Sequence, residues 1–459
     1  TKKQNIAQEL LTKQRAFFRT GETKNVDFRI KKLKLLKKAI TAYEEEIYEA
    51  LKQDFGKPVF ETYVSEIGMV LEEIGLMIKN LPNWSDPEKV DTPITIHPGS
   101  SYIYRVPYGV TLVIGAWNYP FNLTLTPVVG AIAAGNCVIM KPSELSPHTS
   151  AIITKIIGEI YEEDFVAVVE GSVKETQELL AEKFDFIFFT GSTRVGKIVA
   201  EAAAKHLTPT TLELGGKSPC IVAKDADLAM TAKRIVWGKF LNAGQTCIAP
   251  DYLLVHENVK AALIFKMKEC VKEFYGNNPE ESPDFPRIIN KDHFKRLSAY
   301  LEDGNAVVGG NTIPADLYIA PTILDNIDWE DEVMQDEIFG PILPVITFTD
   351  MDEIVEKIKD LPTPLSLYIF TEKKSLAEKL ILDVEFGGGC VNDTVTHFAN
   401  PNLPFGGVGN SGVGAYHGKF SFDTFSHHKG IHKKSTWLDV PLRYPPYEEK
   451  VLLVKTIVN

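Results

Sequence analysis

The sequence predicts an α/β protein with two doubly wound domains and a small β unit. Three observations carry that prediction. The chain has 459 residues, too many for one hydrophobic core. From residue 110, short runs that are apolar throughout alternate with helical segments, the pattern of parallel strands covered on both faces. The same alternation returns after residue 211.

Residues 1 to about 84 read as helices. In FRIKKLKLLKKAITAYEEEIYEALKQDF the apolar residues recur at helical spacing, and the lysine-rich then glutamate-rich remainder reads as a solvated face. TPITIHPGSSYIYRVP, over 92–107, reads as two strands joined in a hairpin at HPGS. VTLVIGAW, CVIMKPS, FVAVVEG and FDFIFFTG read as strands, separated and followed by helices such as HTSAIITKIIGEIYEE and STRVGKIVAEAAAKH. After 211, PCIVAKD, DYLLVHE, LYIAPTIL, ILPVITF, LSLYIFT and GGCVND read as strands of a second sheet. SFDTFSHHKGIHKK reads as an edge strand that joins the hairpin near 100 in a third unit.

Composition narrows the function classes. With 49 basic and 61 acidic residues the net charge is −12, which disfavours nucleic acid and anionic membrane as partners. The five cysteines (Cys137, Cys220, Cys247, Cys270, Cys390) are odd in number, scattered and without a CxxC, so a reducing compartment is expected. The start TKKQNIAQELLTKQ is polar, unlike a signal peptide, and no apolar run approaches the ~18 residues of a membrane span. A cytoplasmic protein without a membrane anchor is the expectation. His293, His397, His427 and His428 show no metal-ligand spacing, and neither HExxH nor GxSxG occurs, so no metal is expected.

Several stretches could carry chemistry. In NAGQTCIAPDY, Cys247 sits among small, polar and turn-forming residues, as if presented instead of buried; the alternative is a small core hydrophobe. FFTGSTRVGKIV places Gly191 and Gly196 where a strand gives way to a helix, whose free N–H groups suit an anion. Thr193 replaces the middle glycine of GxGxxG, so a plain strand–turn–helix stays open. Lys141 and Glu144, in VIMKPSELSP, follow a strand's carboxyl end, where open α/β sheets bind ligands; they could equally be surface residues. Glu213, flanked by leucines in TLELGGKSP, is a general-base candidate if buried, or an outward-pointing strand residue. Asn118 in GAWNYPFNL could donate to an oxyanion or simply form a turn. Glu337 and Phe339 in DEIFGPILP could hold a ribose and a flat ring, or belong to the core.

Together, WNYPFNL, KPSE, FTGSTRVG, LELGGKSP, GQTC, EIFGP and PFGG, in that order over nearly the whole chain, resemble the aldehyde dehydrogenase superfamily. GQTCIAPDY, LPFGGVGNSGVGAYHGKFSFDTFSHHK and the short N-terminus look like its class 3 branch. The resemblance implies a Rossmann-like cofactor domain (1–87 and 108–211), a catalytic domain (212–412), and an oligomerisation arm with a C-terminal tail (88–107 and 413–459). It implies a homodimer, Cys247 as nucleophile, Glu213 as general base and Asn118 as oxyanion donor. At the cofactor it implies Lys141 and Glu144 on the adenosine ribose and Ser192 at the pyrophosphate between Gly191 and Gly196. Glu337 would meet the nicotinamide ribose, with Phe339 and Trp117 near the nicotinamide.

The expected reaction forms a thiohemiacetal at Cys247. Loss of hydride to the nicotinamide leaves a thioester, which Glu213-activated water hydrolyses to the acid. Glu144 favours NAD, with NADP tolerated. Medium or long aliphatic or aromatic aldehydes are the expected substrates, with Tyr63, Tyr119, Trp237 and His397 either lining an apolar tunnel or packing. The rivals are acyl transfer to coenzyme A, a non-catalytic binding protein, and a cysteine hydrolase needing no NAD.

Overall fold

A computed structural model describes residues 6–448 and 450–458, so residues 1–5 of the predicted helical start lie outside it. Helices Ile6–Arg19, Val26–Ala42, Glu44–Phe55 and Gly68–Ser85 form where the sequence places them. Asn25 caps the second by accepting from the Phe28 N–H at 3.2 Å, and Gly56, at φ 65°, ends the third. Their apolar stripes (Leu33, Leu36, Ile47, Ile74) pack into one core with the first sheet.

Strands β1 (Glu88–Val90) and β2 (Ser100–Pro107) follow. The predicted hairpin at HPGS is corrected: Ile94–Ile96 is a 3-10 turn, and β2 pairs instead with β1, Glu88 opposite Ile103. Pro93 and Pro98 bracket that stretch, and proline offers no N–H to a strand ladder. Next come β3 (Val110–Ile114), β4 (Cys137–Lys141), β5 (Val166–Val168), β6 (Phe186–Thr190) and β7 (Thr210–Glu213). These pair in parallel in the order β7-β6-β3-β4-β5.

Past Gly215 and Gly216 the chain enters β8 (Pro219–Val222), β9 (Tyr252–His256) and β10 (Asn305–Val308). The ribbon β11 (Thr312–Ile313) and β12 (Tyr318–Ile319) is followed by β13 (Thr322–Asp325), β14 (Ile342–Phe348), β15 (Ser366–Phe370) and β16 (Gly388–Val391). The second sheet runs β10-β13-β14-β9-β8-β15-β16, parallel except for β10. LYIAPTIL, expected as one strand, is split at Pro321 into β12 and β13. Strand β17 (Gly412–Val413) returns to the first sheet beside β7, with Gly412 opposite Glu213.

SFDTFSHHKGIHKK is only partly a strand. Gly418, at φ 54°, turns the chain and donates its N–H to buried Glu73, and Lys419–Thr424 is helical. Then β18 (Ser426–Lys433) pairs with β2 along its whole length, completing the expected third unit.

The two large sheets meet by opposite edges. The first offers carboxyl ends: Trp117 and Asn118 follow β3, and Gly191 follows β6, where its strand order reverses. The second offers amino ends: Gly215 precedes β8, Cys247 precedes β9 and Leu365 precedes β15. Gly244, at φ 69°, lies so close to the second sheet's Gly340 that a Cβ there would sit 2.2 Å from its carbonyl oxygen. Gly244→Ala is therefore expected to destabilise the fold by about 2 kcal/mol or more. Thermal unfolding checks this; an unchanged Tm would show that the loop adjusts freely.

Candidate active site

The polar residues around Cys247 build the loop that holds it. After helix Leu228–Phe240 the backbone turns through Asn242 (φ 53°) and Ala243 (φ 51°), both in the left-handed region. The Asn242 side-chain amide donates to the Asn118 carbonyl at 2.9 Å and to the Gln245 carbonyl at 3.1 Å. The Gln245 amide donates to the Asn242 carbonyl (3.1 Å) and the Arg287 carbonyl (3.0 Å), and its oxygen accepts from the Ile289 N–H at 3.0 Å. On either side of the half-buried cysteine, Tyr119 and Thr246 share a hydroxyl contact at 2.7 Å, and the Tyr368 hydroxyl donates to the Ile248 carbonyl at 2.5 Å. These bonds pair most of the loop's buried polar groups and fix its path; the Asn242 Oδ1 is buried without a partner among the described residues.

Cys247 and Glu213 line the same cavity, of about 580 Å³, with Thr190 between strand and turn beside them. Its other walls are mainly apolar, including Phe60, Val64, Leu123, Trp237 and Phe274. Glu213 does not point outward to solvent: both carboxylate oxygens are buried and, among the described residues, neither has a hydrogen-bond partner. Burial pushes its carboxyl well above the ordinary range. Burial first, then the nearby charges of Glu337 and Glu213, pushes the Cys247 thiol up as well. Asn118 is buried next to this loop and donates its side-chain amide to the Gln245 carbonyl at 3.1 Å. An amide nitrogen carries a second hydrogen, so that bond orients the group without exhausting it.

Of the four residues expected along a tunnel, Tyr119 and Trp237 line the cavity and Tyr63 and His397 do not. Tyr63 is exposed, whereas the His397 ring stacks on Phe405, its nitrogens facing Ser366 and Cys390.

The predicted cofactor residues lie along the carboxyl edge of the first sheet and the facing loop. Lys141 is buried at the end of β4, with its ammonium 2.5 Å from the Glu144 carboxylate. Ser192 caps helix Thr193–Ala204, its hydroxyl accepting from the Val195 N–H at 3.4 Å. Any side chain at Gly196 would collide with Leu214, a Cβ lying 2.5 Å from its Cδ2. Thr193, the residue that breaks the glycine pattern, instead donates to the Asn410 carbonyl at 3.0 Å.

Glu337 faces the linker between the sheets, where a Cβ on Gly215 would stand 2.1 Å from its Oε2. Its Oε1 is buried without a partner among the described residues, and its pKa is pushed up to about 8 by burial and by Asp251. Phe339 adopts φ 52°, a strained backbone for an aromatic residue costing about 1–3 kcal/mol, and sets its ring 5.3 Å from Trp117. The arrangement suits a dinucleotide: a helix N-terminus for phosphate, an unpartnered buried carboxylate for a hydroxyl donor, and aromatic edges for a flat ring.

Sequence reading missed several residues here. His293, its ring 5.1 Å from Trp117, has a buried Nδ1 with no partner among the described residues. Lys57 and Glu66 form a fully buried ion pair at 2.6 Å, and Glu61 accepts the Asn242 N–H at 3.0 Å. All lie far from the site in sequence; a lysine at the helix-ending GKP and carboxylates on an apolar helix face were the available hints. Among the described residues no cluster of acidic, histidine and cysteine side chains is arranged to hold a metal ion, and no helix is long and apolar enough to cross a membrane.

The aldehyde dehydrogenase family matches residues 2–431. The 4,4'-diaponeurosporen-aldehyde dehydrogenase of Staphylococcus aureus (strain NCTC 8325 / PS 47) is 48% identical, over 98% of this chain and 99% of its own. Aldehyde dehydrogenase family 3 member A2 of Pongo abelii is 48% identical over 94% of this chain and 90% of its own. The dimeric NADP-preferring aldehyde dehydrogenase of Rattus norvegicus is 46% identical over 95% and 97%. The substrate-bound structure of S. aureus AldH superposes with a TM-score of 0.98 at 47% identity, covering 99% of this chain and 100% of that one. A match from end to end, with family 3 members among the relatives, joins the motifs to the fold: the chain belongs to the aldehyde dehydrogenase family, NAD(P)-dependent enzymes that oxidise aldehydes to carboxylic acids.

Proposed function

We propose that this enzyme oxidises apolar aldehydes, medium or long aliphatic or aromatic, through a covalent intermediate on Cys247. The observation that carries the reading is that Cys247 and Glu213, a carboxylate with no hydrogen-bond partner among the described residues, open into one mainly apolar cavity. Sγ, its proton released to solvent, adds as the thiolate to the carbonyl carbon, and the C=O π pair moves onto the oxygen, an oxyanion held by the second Asn118 amide hydrogen and the Cys247 N–H. When bound, NAD(P)+ supplies the hydride acceptor. Lys141 and Glu144 would hold its adenosine ribose, Ser192 its pyrophosphate, and Glu337 its other ribose, with Phe339 and Trp117 beside the nicotinamide. Oxidation leaves the acyl group on Sγ as a thioester. Glu213 then removes a proton from the attacking water, the C–S bond breaks, and the thiol is regenerated with release of the acid.

The nearest rival passes the acyl group to coenzyme A. A buried base poised in the cavity favours water, so free acid is the expected product even with coenzyme A present. The cytoplasm suits five free cysteines. A homodimer fits the rat relative's printed name and the exposed outer strand of the arm.

Cys247→Ala abolishes NADH formation with every aldehyde tested. Glu213→Gln is expected to give one burst of NADH followed by slow turnover, because the thioester forms but is not hydrolysed. Stopped-flow absorbance reads both; steady wild-type turnover in Glu213→Gln would remove the carboxylate from the hydrolytic role.

Activity should rise with pH. The folded pKa values of Glu213 and Cys247 are raised, and the deprotonated forms react, so the active fraction grows as pH climbs through and above neutrality. A pH–kcat profile with its maximum on the acid side would contradict this.

Glu144 places negative charge near a 2′-phosphate, but its pairing with Lys141 softens the repulsion. NAD is therefore preferred and NADP accepted. Comparing kcat/KM for the two cofactors decides it, and a clear NADP preference would refute the assignment.

A further inference from the structure

The Lys57–Glu66 pair has no part in the chemistry above, yet it is buried to 0% side-chain exposure with its atoms 2.6 Å apart. Its surroundings explain its place. The Lys57 ammonium donates to the Asn118 carbonyl at 3.3 Å and lies 4.0 Å above the Tyr119 ring. Glu66 accepts the Phe121 N–H at 3.1 Å and the Asn122 N–H at 2.9 Å, two of the free donors at the start of helix Pro120–Ala134. The pair thus grips the segment 118–122 at both ends. The same segment grips the cysteine loop: Asn118 accepts from Asn242 and donates to Gln245, and Tyr119 meets Thr246. Burial alone pulls Lys57 down and Glu66 up, and their mutual attraction opposes both shifts.

We propose that Lys57 and Glu66 are positioning residues for the oxidation: a buried ion pair that fixes the Asn118–Tyr119 segment against the Cys247 loop and so aims the Asn118 amide at the reacting oxygen. The inference rests on Asn118 serving as oxyanion donor. Buried ion pairs contribute little net stability over well-packed apolar residues, and in some proteins their role is to fix one geometry instead. Small displacements of a positioning group cost up to about a hundredfold in rate.

A double-mutant cycle in the full chain tests it. The charge-neutral variant Lys57→Met/Glu66→Gln avoids leaving one buried charge unpaired, and Glu66→Asp, which keeps the charge but shortens its reach to the Phe121 and Asn122 N–H groups, is the second variant should the first fail to fold. Each is made in wild type and in Asn118→Ala, kcat and KM are measured with the aldehyde varied at saturating NAD, and Tm is measured alongside. The expected result is a kcat loss of about tenfold or more with KM changed less than about threefold, and little further loss when Asn118 is already alanine.

Two outcomes overturn the proposal. In one, the pair variants keep wild-type kcat while Asn118→Ala is slow. In the other, the pair variants lose the same factor in both backgrounds, which marks a role independent of Asn118. If Asn118→Ala itself keeps wild-type kcat, the oxyanion assignment fails first and this inference falls with it.

Discussion

The site depends on one exchange of hydrogen bonds across the seam between the sheets. The Asn118 carbonyl receives the Asn242 side chain, and the Asn118 side chain gives its amide to the Gln245 carbonyl. One residue belongs to the carboxyl edge of the first sheet, the other two to the loop entering the second. Neither loop has strand partners of its own here, so each satisfies the other's backbone. Removing one partner would leave buried groups exposed to no solvent and no protein, at a cost of about 1–3 kcal/mol each. Cysteine and amide are therefore held at a fixed separation by the same bonds that let the loops be buried.

Burial then sets the chemistry. Leu212 and Leu214 on either side of Glu213 are covered, and the carboxylate between them finds no donor among the described residues. In water such a group would be ionised at neutral pH; here it holds its proton more tightly and is a stronger base when it lacks one. Glu337 lies under the same constraint and keeps one oxygen without a partner among the described residues, against the inter-sheet linker. These are unfavourable placements for stability, and a site waiting for a ligand is where they belong.

Much of this was legible from sequence because the strands are apolar on both faces and each motif abuts a strand end. Cys247, Glu213, Lys141 and Gly191 each sit beside a run that could only be a buried strand. The illegible parts have physical causes. The hairpin near 100 failed because prolines bracket Ile94–Ile96 and the real partner, β1, carries only three residues without clear alternation. Lys57, Glu66 and His293 were invisible because their meaning lies in long-range contacts: a lysine after a helix reads as surface until the fold closes over it. The carboxylate of Glu213 could have faced either way, since period-2 reasoning fails where both neighbours are leucine.

The covered Cys247 thiol has a consequence for the enzyme's survival. Peroxides and other electrophiles attack the thiolate far faster than the thiol. Burial raises the Cys247 pKa and so lowers the share of thiolate open to such attack. The same burial that delays its activation therefore slows sulfenic acid formation while no aldehyde is bound, so reactivity towards substrate and sensitivity to peroxide rise and fall together.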